Sequence, residues 1–154
     1  MNTGTGVHLF IVTGASRGLG RAMAEQLAAQ PGAHVLGLSR QAPDVPFEQW
    51  PCDLAEPRPV AERLAAWLGA FAPTRFASAT LINNAAVVTE PKPLPDVDLG
   101  ALAIAVRVGL EAPLLLTAAF LRATRGWSGC TRRVLHISSG LGRRGMASTG
   151  PYCA

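Results

Sequence analysis

The run Thr13-Gly14-Ala15-Ser16-Arg17-Gly18-Leu19-Gly20 places glycines where a chain would have to turn, approach a ligand with bare backbone, and enter a helix. It follows Leu9-Phe10-Ile11-Val12, an apolar run whose polar and glycine flanks mark a strand buried on both faces. In that setting Gly14 allows a tight turn, Gly18 lets the backbone approach a diphosphate, and Gly20 lets the next helix pack closely on the strand. The unpaired N–H groups of the helix start then meet the anion, with Ser16, Arg17 and Leu19 completing the loop around it. The chemistry is that of a dinucleotide cradle.

A second chemical signal is Leu38-Ser39-Arg40, at the end of the next expected strand. A carboxylate there would bind a ribose 2′-hydroxyl, whereas a cation would accept a 2′-phosphate. No acid stands at this position. Arg17 offers a second guanidinium near the same spot, and the planar guanidinium fork suits phosphate. NADP(H) is therefore the expected cofactor.

These groups have to be positioned by alternating strands and helices. Met23 and Leu27 recur at helical spacing among Ala, Glu and Gln, which predicts a helix over 21–30 that Pro31-Gly32 ends. A strand is expected over 34–39, and a short third one over 47–51, leading into Cys52-Asp53-Leu54. Val60, Leu64, Trp67, Leu68 and Phe71 predict a helix over 59–71. A fourth strand is expected at 80–82, then a loop rich in Asn, Ala and Pro to about residue 95. Helix is expected over 99–125 in two stretches, interrupted near Gly109 and resuming with Pro113 in the first turn of the second. A fifth strand over 133–138 completes the series. Such alternation predicts the α/β class: a Rossmann-type doubly wound parallel sheet of about five strands, with helices on both faces and functional loops at the carboxyl ends of the strands.

The glycine spacing resembles the TGxxxGxG pattern of the short-chain dehydrogenase/reductase family, and the downstream elements follow in that family's order: Asp53-Leu54, then Asn83-Asn84-Ala85-Ala86, then Ser139 and Tyr152. The resemblance implies that Asp53 and Leu54 lie against the adenine, and that Asn83, Ala85 and their neighbours line the cofactor while tying the central strands together. Ala86 stands where the family usually has glycine, so its backbone is expected to avoid positive φ. The resemblance makes Tyr152 the proton donor at the substrate oxygen and Ser139 the hydroxyl that orients that oxygen. A tyrosine phenol ordinarily loses its proton near pH 10, so the family places a lysine four residues after it to lower that value. This chain ends at Ala154, and the lysine, the last strands and the substrate-covering lobe are expected to lie beyond it. The family's assisting asparagine aligns with Gly109. The segments LINNAA, GLEAPLLL, HISSG and PYCA are similar to the sepiapterin and benzil reductase-like branch, which implies an NADPH-dependent reductase of ketones or diketones.

Composition narrows the remaining classes. The 154 residues are 49% hydrophobic and 16% charged, with a mean hydropathy of +0.24, which suits one globular domain over 1–154. The net charge of +4 comes from scattered arginines with little aromatic interleaving, so no nucleic-acid partner is expected. No apolar run is expected to span a bilayer, and no signal peptide is evident, which points to a cytoplasmic protein. Cys52, Cys130 and Cys153 show no metal-ligand spacing and read as free thiols. An apolar helix face over 110–121 predicts a homo-oligomer. Two functions remain open: a reductase of small-molecule carbonyl substrates, and a non-catalytic NADP(H)-binding module.

Overall fold

Short apolar runs and longer amphipathic ones alternate along the chain, and each short run forms a parallel strand. The computed structural model describes residues 6–144 and 146–149. Strands β1 (His8–Thr13), β2 (Ala33–Ser39), β3 (Glu48–Pro51), β4 (Ser78–Asn83) and β5 (Thr131–His136) make one sheet in the order β3-β2-β1-β4-β5. Helices α1 (Gly18–Ala28), α2 (Pro57–Gly69), α3 (Leu99–Val106) and α4 (Ala112–Ala123) connect them. This is the expected doubly wound α/β arrangement.

The period-two alternation of the strands divides the core. Leu9 and Ile11 of β1, Leu36 and Leu38 of β2, and Leu81 of β4 face α2 and α4, where Leu64, Leu68, Leu116 and Phe120 meet them. Val12, Val35 and Ile82 face the other way, onto Ala24 of α1. Each fully buried leucine contributes on the order of 1.5–3 kcal/mol, so the fold is held chiefly through the α2–α4 side. Eight aromatic contacts reinforce it there, among them Trp67 edge-on to Phe71 at 4.8 Å and Phe76 stacked on Trp127 at 5.3 Å.

Element existence follows the sequence expectation, and the boundaries shift by two or three residues. Helix α1 starts at Gly18 rather than at 21, because the glycine loop itself enters the first turn. Strand β5 runs from Thr131 rather than from 133, since Ser78 at the start of β4 pairs with it there. The interruption expected near Gly109 is a π-helical turn, Arg107–Glu111. Pro113 has no N–H to give the carbonyl four residues back, which belongs to Gly109. The ladder slips accordingly, and Ala112 N–H reaches Arg107 O.

One expectation is corrected. Leu99–Ala123, taken as a continuous helical stretch, is long and apolar enough by length and composition to cross a membrane, with 22% of its most apolar window buried. Ala112, Leu116 and Phe120 of this stretch are fully buried against the sheet and α2, as in a core helix, while Leu110, Leu114 and Leu121 are exposed.

Candidate functional site

The chain runs outward from β1 through β2 to β3, then crosses back to place β4 on the other side of β1. At such a switch the loops leaving neighbouring strands diverge and leave a crevice at their carboxyl ends. A cleft of about 740 Å³ opens there.

The glycine loop forms one wall. Gly14 and Gly18 have φ of +70° and +56°, a backbone region in which a side chain would be strained. Gly20 serves close packing instead: a Cβ there would collide with the Gly14 carbonyl oxygen and with Asn84 Nδ2. Helix α1 is preceded by Arg17 in extended conformation, and no side chain caps it. The N–H groups of its first turn, at Gly18, Leu19 and Gly20, therefore stay free along the cleft, where an anion would satisfy them.

Thr13, which opens the glycine run, and Asn84, within the Asn83–Ala86 segment expected to tie the central strands, hold this wall to the next. Thr13 Oγ1 accepts hydrogen bonds from the backbone N–H groups of Asn84 and Ala85, each at 2.9 Å. The Asn84 side-chain amide donates back to the Thr13 carbonyl at 3.0 Å. The ends of β1 and β4 are thus pinned together beneath the cleft. The available signal was a hydroxyl immediately before the glycine turn, matched by a paired asparagine after a later strand.

The opposite rim comes from the ends of β2 and β3. Ser39, Arg40, Cys52, Asp53 and Leu54 line the cleft. Asp53 Oδ1 accepts from Ala55 N–H at 2.9 Å, which shapes the turn, while Leu54 is buried and presents an apolar surface suited to an aromatic base. Burial pushes the Cys52 thiol above its ordinary range, against the opposing pull of Arg63. Arg17 and Arg40 line both the main cleft and an adjoining hollow of about 480 Å³ shared with Ala86, Val87, Val88, Ala101 and Ile104. Among the described residues neither guanidinium has an ion-pair partner.

Of the residues expected to bind the cofactor, Gly14, Ser16, Arg17, Gly18, Leu19, Gly20, Arg40, Asp53, Leu54 and Ala85 line the cleft. Asn83 does not: its side chain points under α4, toward Thr117 Oγ1 and His136 Nδ1, at 3.4 Å each. Among the described residues Ser148 is the non-glycine residue with positive φ, so Ala86 occupies its position without that strain. Ser139 follows β5 and is half-buried, its Oγ accepting from Leu141 N–H at 3.3 Å, and it does not line the cleft. Tyr152 and Cys153 lie outside the described residues.

A parallel sheet with a glycine-rich anion cradle at its switch point defines a dinucleotide-binding protein of the Rossmann type. The chain belongs to the short chain dehydrogenase family, which matches residues 8–154. It is 33% identical to the benzil reductase ((S)-benzoin forming) of Bacillus subtilis (strain 168), over 96% of this chain and 61% of that protein. It is 31% identical to the sepiapterin reductase of Mus musculus, over 98% of this chain and 65% of that protein. The chain thus spans about three-fifths of the length of these curated relatives. A short-chain dehydrogenase/reductase structure from Burkholderia vietnamiensis superposes with a TM-score of 0.84 at 36% identity, covering 95% of this chain and 72% of that one. A metagenomic short-chain oxidoreductase solved in complex with NADP gives 0.79 at 28% identity, covering 96% and 68%. Members of this family are oxidoreductases that bind a nicotinamide cofactor.

Proposed function

We propose that the protein is an NADPH-dependent carbonyl reductase acting on ketones or diketones. The observation that carries the cofactor half is the pair Arg17 and Arg40, two guanidiniums that line the same cleft and the hollow beside it, without ion-pair partners among the described residues and with no carboxylate at the end of β2. A 2′-phosphate fits between such groups, and a bare 2′-hydroxyl leaves both without a partner. The NADP bound by the metagenomic relative supports the same choice. The glycine cradle fits the diphosphate because Cβ atoms are absent where Gly14 and Gly20 meet their neighbours.

When bound, the nicotinamide supplies hydride to the carbonyl carbon. The residues of this chain do the rest: Arg17 and Arg40 hold the 2′-phosphate, and the free N–H groups of α1 hold the diphosphate. Asp53 and Leu54 flank the adenine. Ser139 orients the substrate oxygen, and Tyr152 gives it a proton, so that ketone becomes alcohol. Gly109 takes the place of the assisting asparagine, and open space surrounds its α-carbon. Benzil reductase relatives support a carbonyl flanked by apolar groups. Residues 1–154 act as one nucleotide-binding domain of a cytoplasmic homo-oligomer in this reading.

The test is fluorescence titration of the chain with NADPH and NADH, beside Arg40→Ala and Arg17→Ala. Expected are tighter binding of NADPH and a loss of that preference, about 10-fold or more, in each variant, since a charge-assisted contact contributes about 1.5–3 kcal/mol. Equal affinity for both nucleotides would remove the cofactor assignment. NADPH binding without turnover of any ketone would favour the non-catalytic module.

A further inference from the structure

At the carboxyl ends of β4 and β5 lies a polar cluster that the cofactor cleft does not use. Asn83 is 5% exposed, and its side-chain Nδ2 sits 3.4 Å from both Thr117 Oγ1 on α4 and His136 Nδ1 on β5. Its Oδ1 is buried without a hydrogen-bond partner. The backbone locks the arrangement, because Asn83 pairs with His136 in the strand register and Ile137 N–H donates to Asn83 O at 2.9 Å.

Donor counting makes this cluster two-state. With Nδ2 donating to Nδ1, the imidazole has to be neutral and carry its proton on Nε2. A proton added at Nδ1 turns that acceptor into a donor, and two donors would then face each other. Rotating the amide by 180° resolves the conflict: Oδ1 accepts from both the imidazolium and the Thr117 hydroxyl, and Nδ2 takes the buried position without a partner. Each orientation leaves one amide atom unpaired, so neither is favoured by counting alone, and the histidine proton decides. The ring is exposed and can exchange protons with solvent. It meets Asn83 from β4, which does not titrate, and Thr117 from α4 meets that same amide. On its own strand Arg132, which shares its face, is turned away to the Thr124 carbonyl, Arg133 lies on the other face, and no carboxylate pairs with His136 among the described residues.

We infer that the protonation of His136 sets the orientation of the Asn83 amide between β5 and α4.

The test is NMR on the full chain with ¹⁵N label, from pH 5 to 8.5. At the upper limit the His136 ring is expected as the Nε2–H tautomer, and the Asn83 side-chain NH₂ signals are expected to move with the His136 titration midpoint. In His136→Phe they are expected to be independent of pH. A ring protonated on Nδ1 at high pH would overturn the inference, as would Asn83 signals that ignore the His136 titration or still move in the variant. The tautomer and titration are read on the unsubstituted protein, so the outcome stands whether or not the variant folds, and it is independent of NADPH binding or turnover.

Discussion

Two glycines of similar appearance in the sequence do opposite things. At Gly20 a methyl group would strike the Gly14 carbonyl and the Asn84 amide, whereas around Gly109 there is open space. Gly20→Ala should therefore abolish nucleotide binding and lower the melting temperature, by roughly 1–3 kcal/mol of overpacking. Gly109→Ala, at an exposed helical position, should hold or raise stability by about 0.5–1 kcal/mol. Thermal unfolding of the two variants side by side measures the difference. Cys52 supplies another residue-level expectation: its raised pKa keeps it a thiol at neutral pH, so less of the reactive thiolate is present than for a free cysteine. Iodoacetamide should label it slowly, its rate should climb only above the ordinary thiol range, and NADPH should slow it further, because Cys52 lines the cleft. Rapid labelling at pH 7 that NADPH leaves unchanged would contradict both the burial and the cofactor placement.

At the scale of elements, helix α3 is positioned by a single cap. Asp98 Oδ1 accepts from Ala101 N–H at 2.8 Å, satisfying one of the donors that a helix start leaves free. Asp98→Ala should cost about 0.5–2 kcal/mol in urea unfolding. Helix α1 is the counterpart, since its start carries no side-chain cap, and the resulting free donors are the part of the element that a phosphate can use. Introducing a capping side chain there would stabilise the helix and compete with the ligand. The π turn between α3 and α4 follows from Pro113, and Arg107 of that turn reaches Glu56 at 3.5 Å, close in the chain to the Asp53–Leu54 rim. Both side chains are largely exposed, so this pair guides the rim without adding much stability.

For the molecule as a whole, charge and apolar surface are unevenly distributed. The acidic residues all lie at or before Glu111, so the part that follows carries a charge of +6 and the part up to Glu111 carries −2, which together give the net +4. Arg132 and Arg133 stand on β5, at one end of the described sheet. The α3–α4 surface is different. Leu110, Leu114 and Leu121 are 55%, 61% and 44% exposed at helical spacing, with no like charges between them to repel a second copy. Self-association is therefore expected through this helix. Light scattering should show a mass above that of the monomer, and Leu110→Lys with Leu114→Lys should bring it down; a monomer before substitution would refute the expectation.

The local signals in the sequence were those that neighbouring residues enforce on their own. Glycines at fixed offsets after an apolar run dictate a turn and a helix start, and the period-two and period-3.6 patterns dictate which runs extend and which coil. Arg17 and Arg40 could be assigned to one cleft from the chain alone, because the loops that leave adjacent strands meet at the switch point. What distance along the chain conceals, only packing decided. Asn83 and Asn84 are neighbours of identical type, yet the alternation of β4 sends Asn83 beneath α4 to Thr117 and His136, while Asn84 turns back to Thr13. Ser139 was legible by its order after β5, and its absence from the cleft lining was not. Sequence fixes what each residue can donate or accept, and the register of the sheet selects the partner.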